Sequence, residues 1–407
     1  MINRLVELGY VKPSKIQSRT VPFMLVKSGV GIMAQSHNGS GKTLSFVIPA
    51  ILRVDPKKPL QKTETIYLPQ VIILAPNMEL CSQIIGDLKR LAAPFTDVKI
   101  SNGEEPAHIV VRTPEKIKNQ LLGKYKNLDL SQVNMIIVDE ADDQLKNDSL
   151  ASIQKIVEKT PKTCALCFFS ATYTESAIKH MNEFMESKDN LTILKYFLPH
   201  EELKLEGIYQ FSKKCDDQSK GEYIDKLLKS LSTDAQIIIF VNTKKFAQLV
   251  YEQLKAKGHN VALIMGGMTA RDRTEAINAF RQSKFKILIT TNLLARGFDQ
   301  RTVGLVINLD IPRTYGSDVI KADRETYLHR IGRTGRFGDV GLALNLYTKD
   351  EEKQMLDDIA NHYQVKIQDL NSIPDSKAFD MINDCLEQVI EINQKKREET
   401  HEKIGPK

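Results

Sequence analysis

Short apolar runs recur along the chain at 30–34, 71–75, 108–111, 135–138 and 165–169, then at 237–241, 261–265, 287–290, 304–309 and 342–347. Longer stretches of helical periodicity separate them. A strand with one face in water alternates apolar and polar residues; these runs do not, so both of their faces must be covered. The pattern therefore predicts α/β architecture, a mostly parallel sheet with helices on both faces, and it occurs twice in tandem. Between the halves, Tyr196, Phe197, Leu198, Pro199, His200, Glu201 and Glu202 keep no period. This divides the chain into a first domain at 1–198, a linker at 199–206 and a second domain at 207–375. Residues 376–407, ending in a charged run, are expected to form a solvated helix that frays, with RNA binding by its basic residues as the alternative.

Composition changes this picture little. The 407 residues are 42% hydrophobic and 27% charged, enough for two separate cores. A formal charge of +6 permits a polyanionic partner without selecting one. No apolar run approaches the roughly 20 residues that a membrane helix needs, so no membrane role is expected. Five scattered cysteines suit a reducing, cytoplasmic setting. Cys164 and Cys167 fall on a predicted strand, where positions three apart face opposite ways, so neither a disulfide nor a shared metal is expected.

The chemistry is concentrated in three segments. Ser36, His37, Asn38, Gly39, Ser40, Gly41, Lys42 and Thr43 close one strand and open a helix. A glycine-rich turn there can aim successive N–H groups at phosphate oxygens, with Lys42 neutralising the outer phosphates and the Thr43 hydroxyl on Mg²⁺. Asp139, Glu140 and Asp142 follow the run 135–138, at a strand's carboxyl end, where α/β sheets hold ligands. In the second half, His329, Arg330, Arg333 and Arg336 are spaced by small residues, including Gly332 and Gly335. That spacing suits cations that stabilise charge on a transferring phosphoryl group better than it suits a solvated face.

In this order, the segments resemble the motifs of the DEAD-box RNA helicases over residues 5–350. Gly9, Pro13 and Gln17 fit the adenine-reading motif, Ala34–Thr43 the phosphate loop, and Asp139 to Asp142 the naming tetrapeptide. Ser170, Ala171 and Thr172 fit the coupling triplet, 290–299 the fifth motif, and His329–Arg336 the sixth. The resemblance implies two tandem RecA-like domains, ATP and Mg²⁺ as cofactors, and RNA-stimulated ATP hydrolysis. It implies that Gln17 reads adenine, that Asp139 binds the metal, partly through water, and that Glu140 activates the attacking water. Asp299 would touch the ribose, Arg333 and Arg336 would reach the γ-phosphate, and His329, Asp142, Ser170 and Thr172 would link nucleotide state to RNA. Pro76, Gly103, Thr113, Asn242, Arg273, Thr291 and Arg296 fall at RNA-contacting positions. The chain begins too late to carry the aromatic that the family places upstream of Gln17, so the expectation is either incomplete adenine stacking or a truncated N-terminus.

The first domain departs from the family on its RNA side. Met78 stands where an arginine is usual, Glu115 replaces a glycine and Lys116 an arginine; in the second, Arg271 replaces a glutamine. ATP chemistry is thus expected to be intact and RNA grip on the first domain weaker. Ser36, the 240–245 segment and the insertion at 313–326 are similar to the helicases of mRNA export at the nuclear pore, with translation-initiation helicases as the alternative. That likeness implies a monomer acting with an unidentified activator, cytoplasmic with the nucleus or nuclear pore as a further site. An ATP-gated RNA clamp and a DNA translocase remain open, to be separated by turnover and by RNA-versus-DNA stimulation.

Overall fold

The computed structural model describes all residues except 11, 26–28, 37–38, 125, 147, 198–206, 293–301, 315–319, 336–338 and 403–407, and the side chains of 148, 270, 397 and 399–402. The linker expected at 199–206 lies outside the described residues. The chain forms two compact units, Met1–Pro199 and His200–Lys407.

In the first unit, strands β1 (Val30–Gln35), β4 (Val71–Leu74), β5 (Ile100–Ser101), β6 (Ile109–Arg112), β7 (Met135–Asp139), β8 (Ala165–Ser170) and β9 (Thr192–Tyr196) form one parallel sheet, in the order β5-β6-β4-β7-β8-β1-β9. A separate antiparallel hairpin, β2 (Gln61–Thr63) with β3 (Ile66–Tyr67), completes it. Alternate residues of each central strand enter different cores. Ile32, Ile73, Ile137 and Cys167 pack on one face, while Met33, Ile72, Ile136 and Phe168 pack on the other. Cys164 joins the core opposite Cys167, so the pair is divided by the sheet as the strand geometry requires.

The second unit holds β10 (Ile208–Lys214), β11 (Gln236–Phe240), β12 (Val261–Ile264), β13 (Ile287–Thr290), β14 (Val303–Asn308), β15 (Gly341–Tyr347) and β16 (Gln368–Asp369), also all parallel. Their order, β12-β13-β11-β14-β15-β10-β16, repeats the first sheet strand for strand. The match makes β10 the counterpart of β1 and β14 that of β7. This repetition was legible in the alternating runs, but β10 was not. Its Gln210 and Ser212 break the apolar pattern although both are buried; Tyr327 donates to Gln210 Oε1 at 2.7 Å inside the core.

The C-terminal segment departs from the expected solvated helix. Helix Asp375–Glu402 packs through Ala378, Phe379, Ile382 and Leu386, with the partly buried Ile390, onto the second core. Those positions recur at helical spacing, so the charged residues occupy the other face. Gly304 on β14 admits this helix, since a Cβ there would stand 3.0 Å from Leu386 Cδ1.

Candidate nucleotide and RNA site

Every strand of a parallel sheet ends on the same edge, and in the first unit that edge gathers the predicted residues. The turn after β1 needs left-handed backbone at Gly39 (φ 78°) and Gly41 (φ 91°), which glycine adopts without a Cβ penalty. Gly41 is the N-cap of helix Lys42–Leu52, so that helix starts on the loop with its free N–H groups toward it. Lys42 is 8% exposed, and its Nζ donates to the Ser36 carbonyl at 2.7 Å. The Ser36 and Ser40 hydroxyls hydrogen-bond each other, and Thr43 lies half-buried in the first helical turn. His37 and Asn38 lie outside the described residues. Gln17 reaches the loop from helix Lys15–Met24: its Nε2 donates to the Gly41 carbonyl at 3.2 Å, and its Oε1 accepts from the Ser14 N–H at 2.9 Å.

Two strands away, β7 ends in buried Asp139 and Glu140, 4% and 5% exposed. Glu140 adopts φ 51°, an unusual backbone for a side-chain-bearing residue that turns the chain sharply off the strand. The Glu140 N–H donates to Asp139 Oδ1 at 3.0 Å, and Glu140 Oε2 has no hydrogen-bond partner among the described residues. Burial, and then the Glu140 carboxylate beside it, push the Asp139 carboxyl above its usual range, against the pull of Lys42. Asp142 accepts from both hydroxyls of the coupling triplet, Ser170 Oγ at 2.5 Å and Thr172 Oγ1 at 2.6 Å. The neighbouring Tyr173 hydroxyl lies 3.1 Å from the Ala34 carbonyl oxygen and 2.9 Å from that of Phe168, joining the ends of β1 and β8.

The expected RNA-side residues share this edge. Pro76 follows β4, and Asn77 Oδ1 caps helix Met78–Ala92 by accepting from Leu80 N–H at 2.9 Å. Gly103, at φ 84°, is held by Gln120 Nε2 donating to its carbonyl at 2.6 Å. Thr113 is the N-cap of helix Pro114–Leu122, with Glu115 exposed in the first turn. An acid there favours the helix N-terminus, which offsets part of its like-charge cost toward a phosphate.

In the second unit, Arg330 rather than Arg333 anchors the edge. Arg330 is fully buried, and its guanidinium donates to Asn292 Oδ1 (2.5 and 2.9 Å), Asn242 Oδ1 (2.7 Å), the Asp310 carbonyl (2.8 Å) and Asn308 Oδ1 (3.3 Å). It thereby ties together the ends of β11, β13 and β14. Asn242, expected at the RNA, spends its amide here: Oδ1 goes to Arg330 and Nδ2 to the Ile311 carbonyl at 2.9 Å. Its side chain orders the strand ends in this structure. Arg333 is 2% exposed, with Nε donating to the His329 carbonyl at 3.0 Å, and His329 is wholly buried. Thr291 is half-buried after β13, and Arg273 Nη2 donates to the Met268 carbonyl at 3.5 Å. Arg271 pairs with Glu275 at 2.8 Å on the helix surface. Arg296, Asp299 and Arg336 lie outside the described residues.

The repeated topology also explains why one sheet carries the phosphate loop. After β10, the counterpart of β1, the buried Lys220 opens a helix but pairs with Asp217 at 3.2 Å and with Asp310, beyond β14, at 3.6 Å. The second unit's lysine is held in ion pairs, whereas Lys42 Nζ is bonded to the Ser36 backbone carbonyl. Sequence reading missed Gln144, Tyr173 and Lys220, and took Arg330 only as one of three equivalent arginines. Only the arginine spacing in 329–336 carried a signal for any of them.

Comparison with known proteins agrees. The DEAD/DEAH box helicase family matches residues 14–181, and the helicase conserved C-terminal domain matches 219–338. The chain is 35% identical over 385 residues to ATP-dependent RNA helicase DBP5 of Ajellomyces capsulatus, covering 91% of this chain and 75% of that protein. It is 36% identical over 395 residues to the DBP5 of Phaeosphaeria nodorum, covering 94% and 79%. Among solved structures, S. cerevisiae Dbp5 bound to RNA and ADP BeF3 is 29% identical, with a TM-score of 0.84 over 95% of this chain and 96% of that one. A variant of S. cerevisiae Dbp5 bound to Nup159, Gle1, IP6 and ADP is 27% identical, with a TM-score of 0.64 over 96% and 98%. The two sheets are RecA-like domains in tandem, and with a phosphate loop and paired carboxylates on the first, the chain belongs to the DEAD-box ATP-dependent RNA helicases.

Proposed function

We propose that this helicase couples RNA-stimulated ATP hydrolysis to unwinding of short RNA duplexes or remodelling of ribonucleoproteins in mRNA export. The observation that carries the reading is the buried Asp139–Glu140 pair facing the Lys42 loop, with Asp142 bonded to Ser170 and Thr172. ATP draws Lys42 from the Ser36 carbonyl onto its phosphates, while Gln17 presents its amide to the adenine edge. Glu140, whose Oε2 has no partner among the described residues, takes the proton of the attacking water. Two buried carboxylates at one strand end, one with its pKa raised, suit a divalent cation, and Asp139 with Thr43 would hold Mg²⁺. Bound there, Mg²⁺ supplies neutralisation of charge on the phosphates.

From the second domain, Arg333, Arg336 and Asp299 meet the same nucleotide, so hydrolysis requires the domains to close. RNA bound across Pro76, Gly103, Thr113, Arg273, Thr291 and Arg296 favours closure, and the Asp142 bonds report it to Glu140. RNA binding by the S. cerevisiae relative supports this reading, and its Gle1 and Nup159 complexes suggest activators of the same kind here. The test is ATP turnover with and without single-stranded RNA, beside single-stranded DNA, for the parent and for Glu140→Gln. RNA should stimulate the parent more than DNA does, and the variant should lose turnover by about 10²–10⁴-fold while keeping ATP affinity. Parental turnover indifferent to RNA, or near-parental turnover in Glu140→Gln, would refute the reading.

A further inference from the structure

We propose that Gln144 is the positioning residue through which the RNA-side loops of the first domain act on the hydrolytic carboxylate; this rests on the function proposed above. Gln144 is 1% exposed at the end of the one-turn helix Ala141–Gln144. Its Nε2 donates to the Asp139 carbonyl at 2.5 Å and to the Leu74 carbonyl at 3.1 Å. The two acceptors lie at the ends of adjacent strands, where Leu74 is the last residue of β4 in register with Val138 of β7. The amide therefore continues the β4–β7 ladder beyond the point where backbone partners run out.

The bond to Asp139 closes a loop around Glu140. Glu140 holds φ 51°, and its carbonyl accepts from Gln144 N–H at 3.3 Å. Any backbone rotation at Glu140 that re-aims its side chain must strain the bond from Gln144 to Asp139. The bond to Leu74 leads the other way. Ala75 N–H donates to the Arg112 carbonyl at 3.3 Å, and Arg112 Nη1 donates to the Asn102 carbonyl at 2.6 Å. The Leu74–Ala75 peptide, Arg112 and Asn102 are thus joined by hydrogen bonds to the Gln144 amide, and through it to Glu140; the segments at 76–78 and 113–116 follow Ala75 and Arg112 directly in the chain. Gln144 Oε1 has no partner among the described residues, so its two N–H bonds are the polar link.

The full chain carrying Gln144→Leu, or Gln144→Met should Leu fail to fold, keeps the volume and removes both donors. ATP turnover is measured against RNA concentration. Tyr173→Phe serves as the comparison, because it removes a hydroxyl from the same edge at β1 and β8, which has no bond to β4. In the Gln144 variants the ratio of RNA-saturated to RNA-free turnover should fall about tenfold, within the range of ordinary coupling energies, and half-saturating RNA should rise. Tyr173→Phe should keep the ratio within about twofold. A Gln144 variant with the parental ratio overturns the proposal while leaving the function intact. An equal drop in Tyr173→Phe also overturns it, by making Gln144 a general brace of the edge. A parent without RNA stimulation removes both readings.

Discussion

Replacing Arg330 with methionine keeps most of the buried stem and removes the guanidinium. The five hydrogen bonds it makes to Asn292, Asn242, Asp310 and Asn308 among the described residues reach four acceptors, and their fates differ. Asn292 is exposed and can turn to water, so its loss is small. Asn308 is wholly buried and would leave an unsatisfied oxygen, at about 1–3 kcal/mol. Asn242 and Asp310 are half-buried and add about 1 kcal/mol each. The sum, about 3–5 kcal/mol, matches the usual cost of breaking a buried charged network. Hydrogen exchange of the full chain reads this domain by domain: protection of β11, β13 and β14 should fall by that amount, with β4 and β7 unchanged as the internal reference. Arg330→Lys should fall between, since an ammonium offers three donors where the fork offers five. A loss below about 1 kcal/mol for Arg330→Met would refute the role of Arg330 as the tie between strand ends.

Three further outcomes follow from the geometry. Gln17→Ala removes the bond to Gly41 and, with it, the adenine contact proposed above, so ATP affinity should fall about tenfold and preference over GTP should vanish; unchanged nucleotide competition would dissociate Gln17 from the base. Glu115→Gly removes an exposed acid from the RNA side and should tighten RNA binding in the presence of a non-hydrolysable ATP analogue, most at low salt; equal affinity across a salt series places Glu115 off the RNA path. Burial raises the Asp225 carboxyl, but bonds from His259, Lys229 and Lys257 outweigh it and hold the pKa well below the usual range. A depressed folded pKa gives stability that is present above the unfolded value of about 3.9 and lost as pH falls toward the folded one. Denaturant midpoints of the second domain should therefore drop below about pH 4, and Asp225→Asn should flatten that arm; an unchanged acid profile in the variant argues against it.

Some of this protein was written in local pattern. Buried parallel strands announce themselves as unbroken apolar runs, and the phosphate loop as glycines before Lys42, because each depends on neighbours in sequence. The repeated alternation likewise carried two sheets of one topology. Tertiary structure decided what depended on distant partners. β10 hid because Gln210 and Ser212 look exposed in sequence, yet both are buried, Gln210 against Tyr327 from across the chain. Arg330 read as one of three equivalent arginines, and only the convergence of three strand ends makes it the buried anchor and draws in the Asn242 amide. Lys220 and Lys42 both open helices after matching strands, yet one is held in ion pairs and the other is bonded to the Ser36 carbonyl of the phosphate loop. That difference comes from Asp310, ninety residues downstream of Lys220, which folding alone brings to 3.6 Å.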